Sequence, residues 1–249
     1  RSTLFPYTTL FRSPYRLAAA EGFESIELSP LAPLGSCASV ALTTQNRIVS
    51  TIRGTEVVSD PTNVLALESA RRLRRDPKQI VKFASSHRCM RAQEIPDRPG
   101  YAAHFRMFCL TTAGHEVKDQ SFVVDALSEH IRTHLAALDR LEQHGYRFAD
   151  RSVTLLSTPE RQALAQRVAA TLPAMTVMHQ PLTHEYYHGL RFMINADSVH
   201  GNCIPLIDGG VFNWVAKLAS NRKMVFVASA IGSQLVAHLF REQRSESTR

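Results

Sequence analysis

Apolar residues recur at three- and four-residue steps over Val124–Leu141, in the middle of the chain. This spacing predicts an amphipathic helix, and Gly145 is a suitable residue to close it. A second helical pattern covers Val64–Leu73. The sequence Asp60-Pro61-Thr62 precedes it and supplies a cap and a turn, so this helix is expected to begin there and to end near Pro77.

Short apolar runs rich in β-branched and aromatic residues predict strands on both sides of these helices. The loops between the elements have uneven lengths, which argues against a regular alternation of helices and parallel strands. We therefore predict one α+β domain with a largely antiparallel sheet flanked by helices. The predicted strands are Phe23–Leu28, Arg47–Ile52, Ile80–Ser85, Phe105–Thr112, Ser152–Ser157, Gly189–Ala196 and Lys223–Ser229. Other helices are predicted to close at Gly22, to start at Thr158 and near Phe212, and to follow Gly232, and Glu94–Gly100 is predicted to be a loop.

The net charge of +7 is compatible with an anionic partner such as RNA or a nucleotide. The one dense basic run lies on the second predicted helix, where such runs usually form a solvated face rather than a nucleic-acid groove. Its members are Arg71, Arg72, Arg74 and Arg75. No stretch reaches the roughly 18 apolar residues that a membrane-spanning helix needs, so no membrane span is expected. Nothing resembles a secretory signal, so reduced thiols and a cytoplasmic location are expected.

The four cysteines are widely spaced and form no short paired motif, so no zinc site is expected. Cys89 and Cys109 lie in apolar segments and are expected to pack as small hydrophobic residues. The stretch His184–His188 (HEYYH) has the spacing of the zinc-protease motif HExxH, but that motif needs both histidines on one helix. The aromatic residues around it favour a strand instead.

The two ends of the chain differ in character from the rest. Residues 1–13 (RSTLFPYTTLFRS) resemble the translated read-through of a sequencing adapter, as seen at the ends of metagenomic gene fragments. On this interpretation the folded core covers residues 14–241, and residues 242–249 form a polar tail. Residues 1–13 are therefore set aside in predicting the fold.

The segments His87–Gln93 (HRCMRAQ) and Gly100–Gly114 (GYAAHFRMFCLTTAG) resemble motif 2 of the histidyl-tRNA synthetase family of class II synthetases. The first strand of that motif follows the pattern FRxERPQ. Arg88, Arg91 and Gln93 fall on its two arginines and its glutamine. The resemblance implies a class II aminoacyl-tRNA synthetase-like catalytic domain.

Five further segments resemble motifs of the same family in the same order. Tyr15–Pro30 is similar to motif 1, which the family uses at its dimer interface, so a homodimer is implied. Ser59–Thr62 resembles the element that opens the amino-acid pocket, and Tyr186–Phe192 the paired-tyrosine strand YYTGxxF. Asp208–Phe212 resembles the GGRYD turn, and Phe226–Leu235 motif 3 (GFAIGLERL).

The resemblance implies an amino-acid or similar small-molecule site with polar and aromatic walls. In it Asp60 binds an ammonium group, or is simply a helix cap. Arg88 faces a phosphate or another ligand, or simply ends a strand in a surface ion pair. The implied ligand-binding residues are Asp60, Thr62, Arg88, Arg91, Gln93, His104, Glu185, Tyr186 and Tyr187.

Several residues that the family uses to activate an amino acid with ATP and magnesium are replaced. Met90 stands at the acid of FRxERPQ, and Gln234 and Ser233 at the arginine and acid of motif 3. The segment Pro181–Glu185 (PLTHE) lacks the catalytic arginine of the family, and Met107 and Thr111 replace a glutamine and a glutamate. Each lost phosphate-directed charge costs several kcal/mol of transition-state stabilisation, so ordinary adenylation is not expected.

Three functions follow from this pattern. The leading hypothesis is a non-canonical paralogue that binds an amino acid in a regulatory role, similar to the regulatory subunit of ATP phosphoribosyltransferase in histidine biosynthesis, with a partner enzyme and without tRNA. The second is a ligase that activates a carboxylate with ATP for a non-tRNA acceptor. The third is a dimeric interaction scaffold, which predicts an occluded cavity.

Overall fold

The computed structural model describes residues 7–242, and side chains from residue 13 onward. The predicted tail, apart from Glu242, and residues 1–6 lie outside this range. The helices are α1 (Tyr7–Ala20), α2 (Pro61–Arg75), α3 (Ser121–Glu142), α4 (Gln162–Ala170), α5 (Trp214–Leu218) and α6 (Ser233–Leu239). The strands are β1 (Glu24–Ser25), β2 (Leu31–Pro33), β3 (Thr55–Val57), β4 (Val81–Met90), β5 (His104–His115), β6 (Ala149–Ser157), β7 (Thr176–Pro181), β8 (Leu190–Asp197), β9 (Cys203–Phe212) and β10 (Met224–Gly232).

Eight of these strands form one sheet in the order β1-β4-β5-β10-β9-β8-β6-β7. The six central strands pair antiparallel, and only the edge pairs β1–β4 and β6–β7 are parallel. Strands β2 and β3 form a separate antiparallel pair. The predicted α+β fold with a largely antiparallel sheet is therefore confirmed.

The sheet separates two apolar clusters. On the back face, α1, α3 and α4 cover alternate residues of the strands, among them Phe108, Phe192 and Val227. On the front face, α2 and α5 pack on the residues between them, including Phe83, Phe212 and Phe226. Successive strand residues point to opposite faces, so each central strand contributes to both clusters.

The two helices with the clearest sequence pattern form as predicted. Helix α2 begins at Pro61 with Asp60 as its cap, and α3 ends at Glu142 shortly before Gly145, whose φ is +81°. In the basic run of α2, Arg71 and Arg72 pair with carboxylates, and Arg74 donates to the carbonyl of Leu218. The run is thus a helix surface with local partners.

Other predictions were wrong. Arg47–Ile52 forms no strand; it lies between two short 3-10 turns, and Ile52 is exposed. Asp208–Phe212 is the second half of β9 rather than a turn, and β7 and β9 were not predicted. His184–His188 is a turn rather than the expected strand, and β8 begins after it at Leu190; as expected, the segment forms no helix. Within residues 7–242, no helix has both the length and the apolar character that crossing a membrane requires.

Candidate functional site

A polar cavity of about 270 Å³ opens on the front side of the sheet, beside the start of α2. The loop of residues 41–48 forms one wall, and the residues that follow β4 form another. These two walls are joined by the Ala92 amide, which donates to the carbonyl of Arg47 over 3.0 Å. The lining residues are Ala41, Leu42, Thr43, Arg47, Ile48, Ser59, Asp60, Asn63, Arg91, Gln93 and Tyr186.

Glu56 holds the loop wall in place from a fully buried position. Its carboxylate accepts hydrogen bonds from the amides of Gly35 and Cys37, at 2.7 and 2.8 Å, and from Nε2 of Gln45 at 2.8 Å. Burial raises the pKa of this carboxyl group, but the hydrogen bonds outweigh burial and the net pKa is lowered. A buried charge with three donors fixes irregular backbone strongly.

Asp60 makes two sets of contacts, one with each carboxylate oxygen. Its Oδ1 accepts from the amide of Thr62 at 2.9 Å and from the Thr62 hydroxyl at 2.7 Å, which caps α2. Its Oδ2 lies 3.4 Å from Nη2 of Arg91 and faces the cavity side. The cap therefore engages one oxygen and leaves the second for the cavity. Thr62 itself is buried and lies outside the cavity lining.

Arg91 is held between three groups. Its Nε donates to the carbonyl of Ser59 at 3.3 Å, and its guanidinium lies 5.0 Å from the ring centre of Phe105. With the Asp60 contact, these interactions orient the guanidinium towards the cavity while leaving about a third of the side chain exposed. An arginine presented in this way can bind a carboxylate or a phosphate.

Asn63 contributes a group that lacks a protein partner. The residue is 2% exposed and lines the cavity, and its Nδ2 has no hydrogen-bond partner among the described residues. An unpaired buried amide typically costs about 1–3 kcal/mol. This nitrogen is itself closed off from solvent, so a ligand acceptor would pair with it only after the side chain rotates towards the cavity.

Two tyrosines form the aromatic wall. Tyr186 packs edge-on against Tyr187, Phe212 and Trp214 at centroid distances of 5.1, 5.5 and 6.0 Å. Burial, and then the nearby Asp60 carboxylate, raise the pKa of Tyr186, so its hydroxyl stays neutral. Tyr186 also lines a second cavity of about 430 Å³, which contains Glu185 and Tyr187 and shares Leu42 with the first.

The glycine pair of β9 makes room for this wall. A Cβ on Gly210 would lie 2.5 Å from the carbonyl oxygen of Leu190 and 2.6 Å from Cδ1 of Tyr187. Just before the pair, Asp208 accepts two hydrogen bonds of 2.8 Å from Arg191, whose guanidinium lies 5.2 Å from the Tyr187 ring centre. The Asp-Gly-Gly sequence therefore places Tyr187 against the sheet and fixes Arg191.

The remaining predicted residues lie elsewhere. Arg88 and His104 are exposed and contact each other, with 3.2 Å between Nη1 and Nδ1, and neither lines the two front cavities. Arg88 lies four residues after Ala84, which faces the back of the sheet, and the pairing of β4 with β5 has no register shift between them. Arg88 therefore lies on the same back face. The structure thus brings together Asp60, Arg91, Gln93 and Tyr186, and does not bring Arg88 to them.

Motif 2 can also be aligned with a shift of three residues, which gives up the matches to its second arginine and its final glutamine. The FRxE part of FRxERPQ then falls on Met90-Arg91-Ala92-Gln93, with glutamine at the acid position. Arg91 and Gln93 line the cavity, whereas Arg88 and Met90 of the first alignment are exposed strand residues outside it.

The position of the motif 3 arginine is occupied by a side chain with a structural contact. Gln234 Oε1 accepts from the amide of Arg106 at 2.9 Å and from the Ser233 hydroxyl at 2.7 Å. These bonds tie the start of α6 to β5. Gly100 also packs here, because a Cβ on it would lie 3.2 Å from the Leu235 Cα.

The sequence did not indicate Asn63, Arg47 or Thr43 as cavity residues. Asn63 follows the Asp60 cap by three residues, and only the structure shows that it lines the cavity. Arg47 was assigned to a strand that does not form.

Among the described residues, no group of three or more histidine, cysteine, aspartate or glutamate side chains is placed to hold a metal ion.

Comparison with solved structures identifies the fold. The histidyl-tRNA synthetase of S. aureus aligns with a TM-score of 0.69 at 13% identity, covering 95% of this chain and 67% of that one. The fold is that of a class II aminoacyl-tRNA synthetase catalytic domain.

Other class II structures align comparably well. A Bacillus halodurans protein described as an ATP phosphoribosyltransferase regulatory subunit/histidyl-tRNA synthetase has a TM-score of 0.69 at 13% identity, covering 95% of this chain and 80% of that one. A threonyl-tRNA synthetase domain from Cryptosporidium parvum has a TM-score of 0.70 at 9% identity, with coverages of 94% and 62%. No family model and no curated protein sequence matches the chain. The predicted class II synthetase-like core is therefore confirmed as a fold.

Proposed function

We propose that this protein is a class II synthetase paralogue that binds an amino acid, or a similar small zwitterion, in the front cavity and acts in a regulatory role. The observation that carries the proposal is the set of complementary groups around that cavity. One acidic residue (Asp60) and two arginines (Arg47 and Arg91) line it together with Asn63.

An amino acid can satisfy these groups in one orientation. Its ammonium group would face Asp60 Oδ2 and the Tyr186 hydroxyl, and its carboxylate would face Arg47, with Asn63 as an additional donor. The cavity volume of about 270 Å³ is slightly below the roughly 300 Å³ at which pockets for drug-sized ligands begin, so a small metabolite fits better than a larger molecule.

The regulatory part of the proposal rests on analogy. The Bacillus halodurans protein with the same fold is described as an ATP phosphoribosyltransferase regulatory subunit/histidyl-tRNA synthetase, and the proposal follows the first of these two descriptions. By this analogy the present protein acts in histidine biosynthesis, in the cytoplasm, as a homodimer with a partner enzyme and without tRNA. Fold alone does not determine function, so these assignments depend on binding and pull-down experiments with the purified chain.

The residues present do not fit an ATP and magnesium site of the family type. Gln234 replaces the motif 3 arginine and is bonded to Arg106, and Arg88 lies outside the cavity. Arg91 remains, but its charge already faces Asp60.

The second candidate, an ATP-dependent ligase, is favoured only by Arg91 and Gln93 at the FRxE positions. The open cavity in turn argues against a pure scaffold.

Isothermal titration calorimetry with histidine and the other standard amino acids tests the proposal directly. We expect one or a few amino acids to bind, and ATP–pyrophosphate exchange with the same panel to be absent. A folded protein that binds none of the amino acids would overturn the ligand-binding proposal. Robust exchange would replace it with the ligase.

A further inference from the structure

A third cavity, of about 740 Å³, lies on another side of the molecule and shares no residue with the two front cavities. Three segments converge on it through backbone hydrogen bonds. The amide of Arg147 donates to the carbonyl of Phe240 at 2.8 Å, and the amide of Val199 donates to the carbonyl of Leu239 at 2.9 Å. The lining residues are Arg147, Val199, His200, Ala237, His238, Arg241 and Glu242.

The lining of this cavity is predominantly basic. It contains two guanidinium groups and two imidazoles against one carboxylate, that of Glu242. Over residues 13–242, none of the four basic side chains forms an ion pair or a side-chain hydrogen bond. Several other arginines of the chain do have carboxylate partners, among them Arg72, Arg151 and Arg191.

The positions of the two arginines are set by the backbone. Arg241 neighbours Arg147 because Tyr146 and Arg241 form an antiparallel bridge and the Arg147 amide bonds the residue before Arg241. Two like charges on adjacent segments repel each other, and the one carboxylate of the lining, Glu242, forms no ion pair with either arginine. A bound anion would relieve this repulsion and use the free donors.

We propose that this cavity binds the phosphate group of a phosphorylated small molecule, of the sugar-phosphate or mononucleotide class. Guanidinium groups bind phosphate oxygens in a bidentate manner, and imidazole N–H groups add further donors. The volume lies within the roughly 300–1,000 Å³ of small-molecule sites. Glu242 would repel a bare polyanion but can accept a hydrogen bond from a sugar hydroxyl, which favours a phosphate ester.

The site is independent of the amino-acid cavity, so each proposal can fail alone. Calorimetric titration with ribose 5-phosphate, AMP and inorganic phosphate tests it, at low and at moderate salt. The informative variant is Arg147→Gln combined with Arg241→Gln, because both side chains are exposed and neither carries a core contact. The matched control removes the same kind of charge at the exposed Arg222, as Arg222→Gln.

We expect at least one of the two phosphate esters to bind more tightly than inorganic phosphate. The double variant should weaken that binding at least roughly tenfold, about 1.4 kcal/mol, with no loss in Arg222→Gln. Absence of binding by all three probes would overturn the proposal, as would equal weakening in the control. RNA binding much tighter than AMP binding would mark the surface as a nucleic-acid site instead.

Discussion

The Asp60 carboxylate caps α2 with one oxygen and faces the Arg91 guanidinium, 3.4 Å away, with the other. Sequence reasoning treated helix capping and ligand binding as competing explanations for this residue. In the structure the cap uses Oδ1 alone, and Oδ2 is the oxygen that the proposed amino-acid site would use. The two functions can therefore be separated by a substitution that keeps the cap and removes the charge.

Asp60→Asn is that substitution, because asparagine caps a helix about as well as aspartate. We expect the free energy of unfolding to change by less than about 1 kcal/mol. Amino-acid binding should weaken at least roughly tenfold because the counter-charge for the ammonium group is lost. Chemical denaturation and calorimetry measure the two quantities. Asp60→Ala is the contrasting variant, which also loses the cap and should cost about 0.5–2 kcal/mol of stability. Unchanged binding in Asp60→Asn would remove Asp60 from the site.

Asn63 and its neighbour Thr62 should respond in opposite ways. Asn63→Leu removes an unpaired buried amide, so we expect stability to stay the same or to rise by up to about 1–2 kcal/mol, while ligand binding falls. Thr62→Val removes the hydroxyl that donates to Asp60, so stability should fall by about 0.5–1.5 kcal/mol. Chemical denaturation curves measure the free energy of unfolding of both variants relative to the unaltered protein. A clear loss of stability in Asn63→Leu would mean that the amide has a structural role.

The glycine pair of β9 should be intolerant of even one added methyl group. The methyl group of Gly210→Ala would push both the Leu190 carbonyl and the Tyr187 ring away from residue 210, at an expected cost of about 1–3 kcal/mol of stability. Gly232→Ala is the matched control, because a Cβ there meets no atom within 4 Å and its φ is −87°. That control should change stability by no more than about 0.5 kcal/mol. Equal melting temperatures for the two variants would show that Tyr187 can move away freely.

Much of the fold was accessible from the sequence because the strongest signals were local. The apolar period of α3 and the cap of α2 are determined within one helix, and both formed as predicted. Strand β9 was missed because Pro205 and its two glycines lower strand propensity, whereas packing against β8 and β10 holds it in the sheet. Strand propensity describes single residues and contains no information about packing between neighbouring strands.

The site was less accessible for a similar reason. The motif match found Arg91, Gln93 and Tyr186 but also included Arg88 and His104, because a one-residue difference in strand parity reverses the face on which a side chain lies. The cavity wall of residues 41–48 has no regular pattern and depends on the buried Glu56. Asn63 was recognised only in the structure, where its side-chain amide has no hydrogen-bond partner among the described residues.

A buried histidine pair behind the sheet should make stability depend on pH. Ser229 Oγ lies 2.9 Å from Nδ1 of His130 and 2.8 Å from Nε2 of His134, and His130 Nε2 lies 2.9 Å from the Thr112 hydroxyl. Burial lowers the pKa of His134 to about 3. Burial, followed by the charges of His134 and Lys82, holds the pKa of His130 well below its usual value. Both histidines are therefore neutral in the folded protein.

The sign of the effect follows from proton binding. Between about pH 5 and 6.5 the unfolded chain protonates these histidines and the folded protein does not, so stability falls as the pH is lowered through this window. The expected slope is roughly 1.4 kcal/mol per pH unit for each histidine once the pH is below 6.5. Carboxyl groups with lowered pKa values, such as Glu68 at about 2, contribute only at lower pH.

Urea denaturation from pH 7 to 5 measures the slope. His134→Asn should make it shallower, and replacement of the exposed His144 by glutamine should not. An unchanged slope in His134→Asn would mean that this pair does not carry the acid sensitivity.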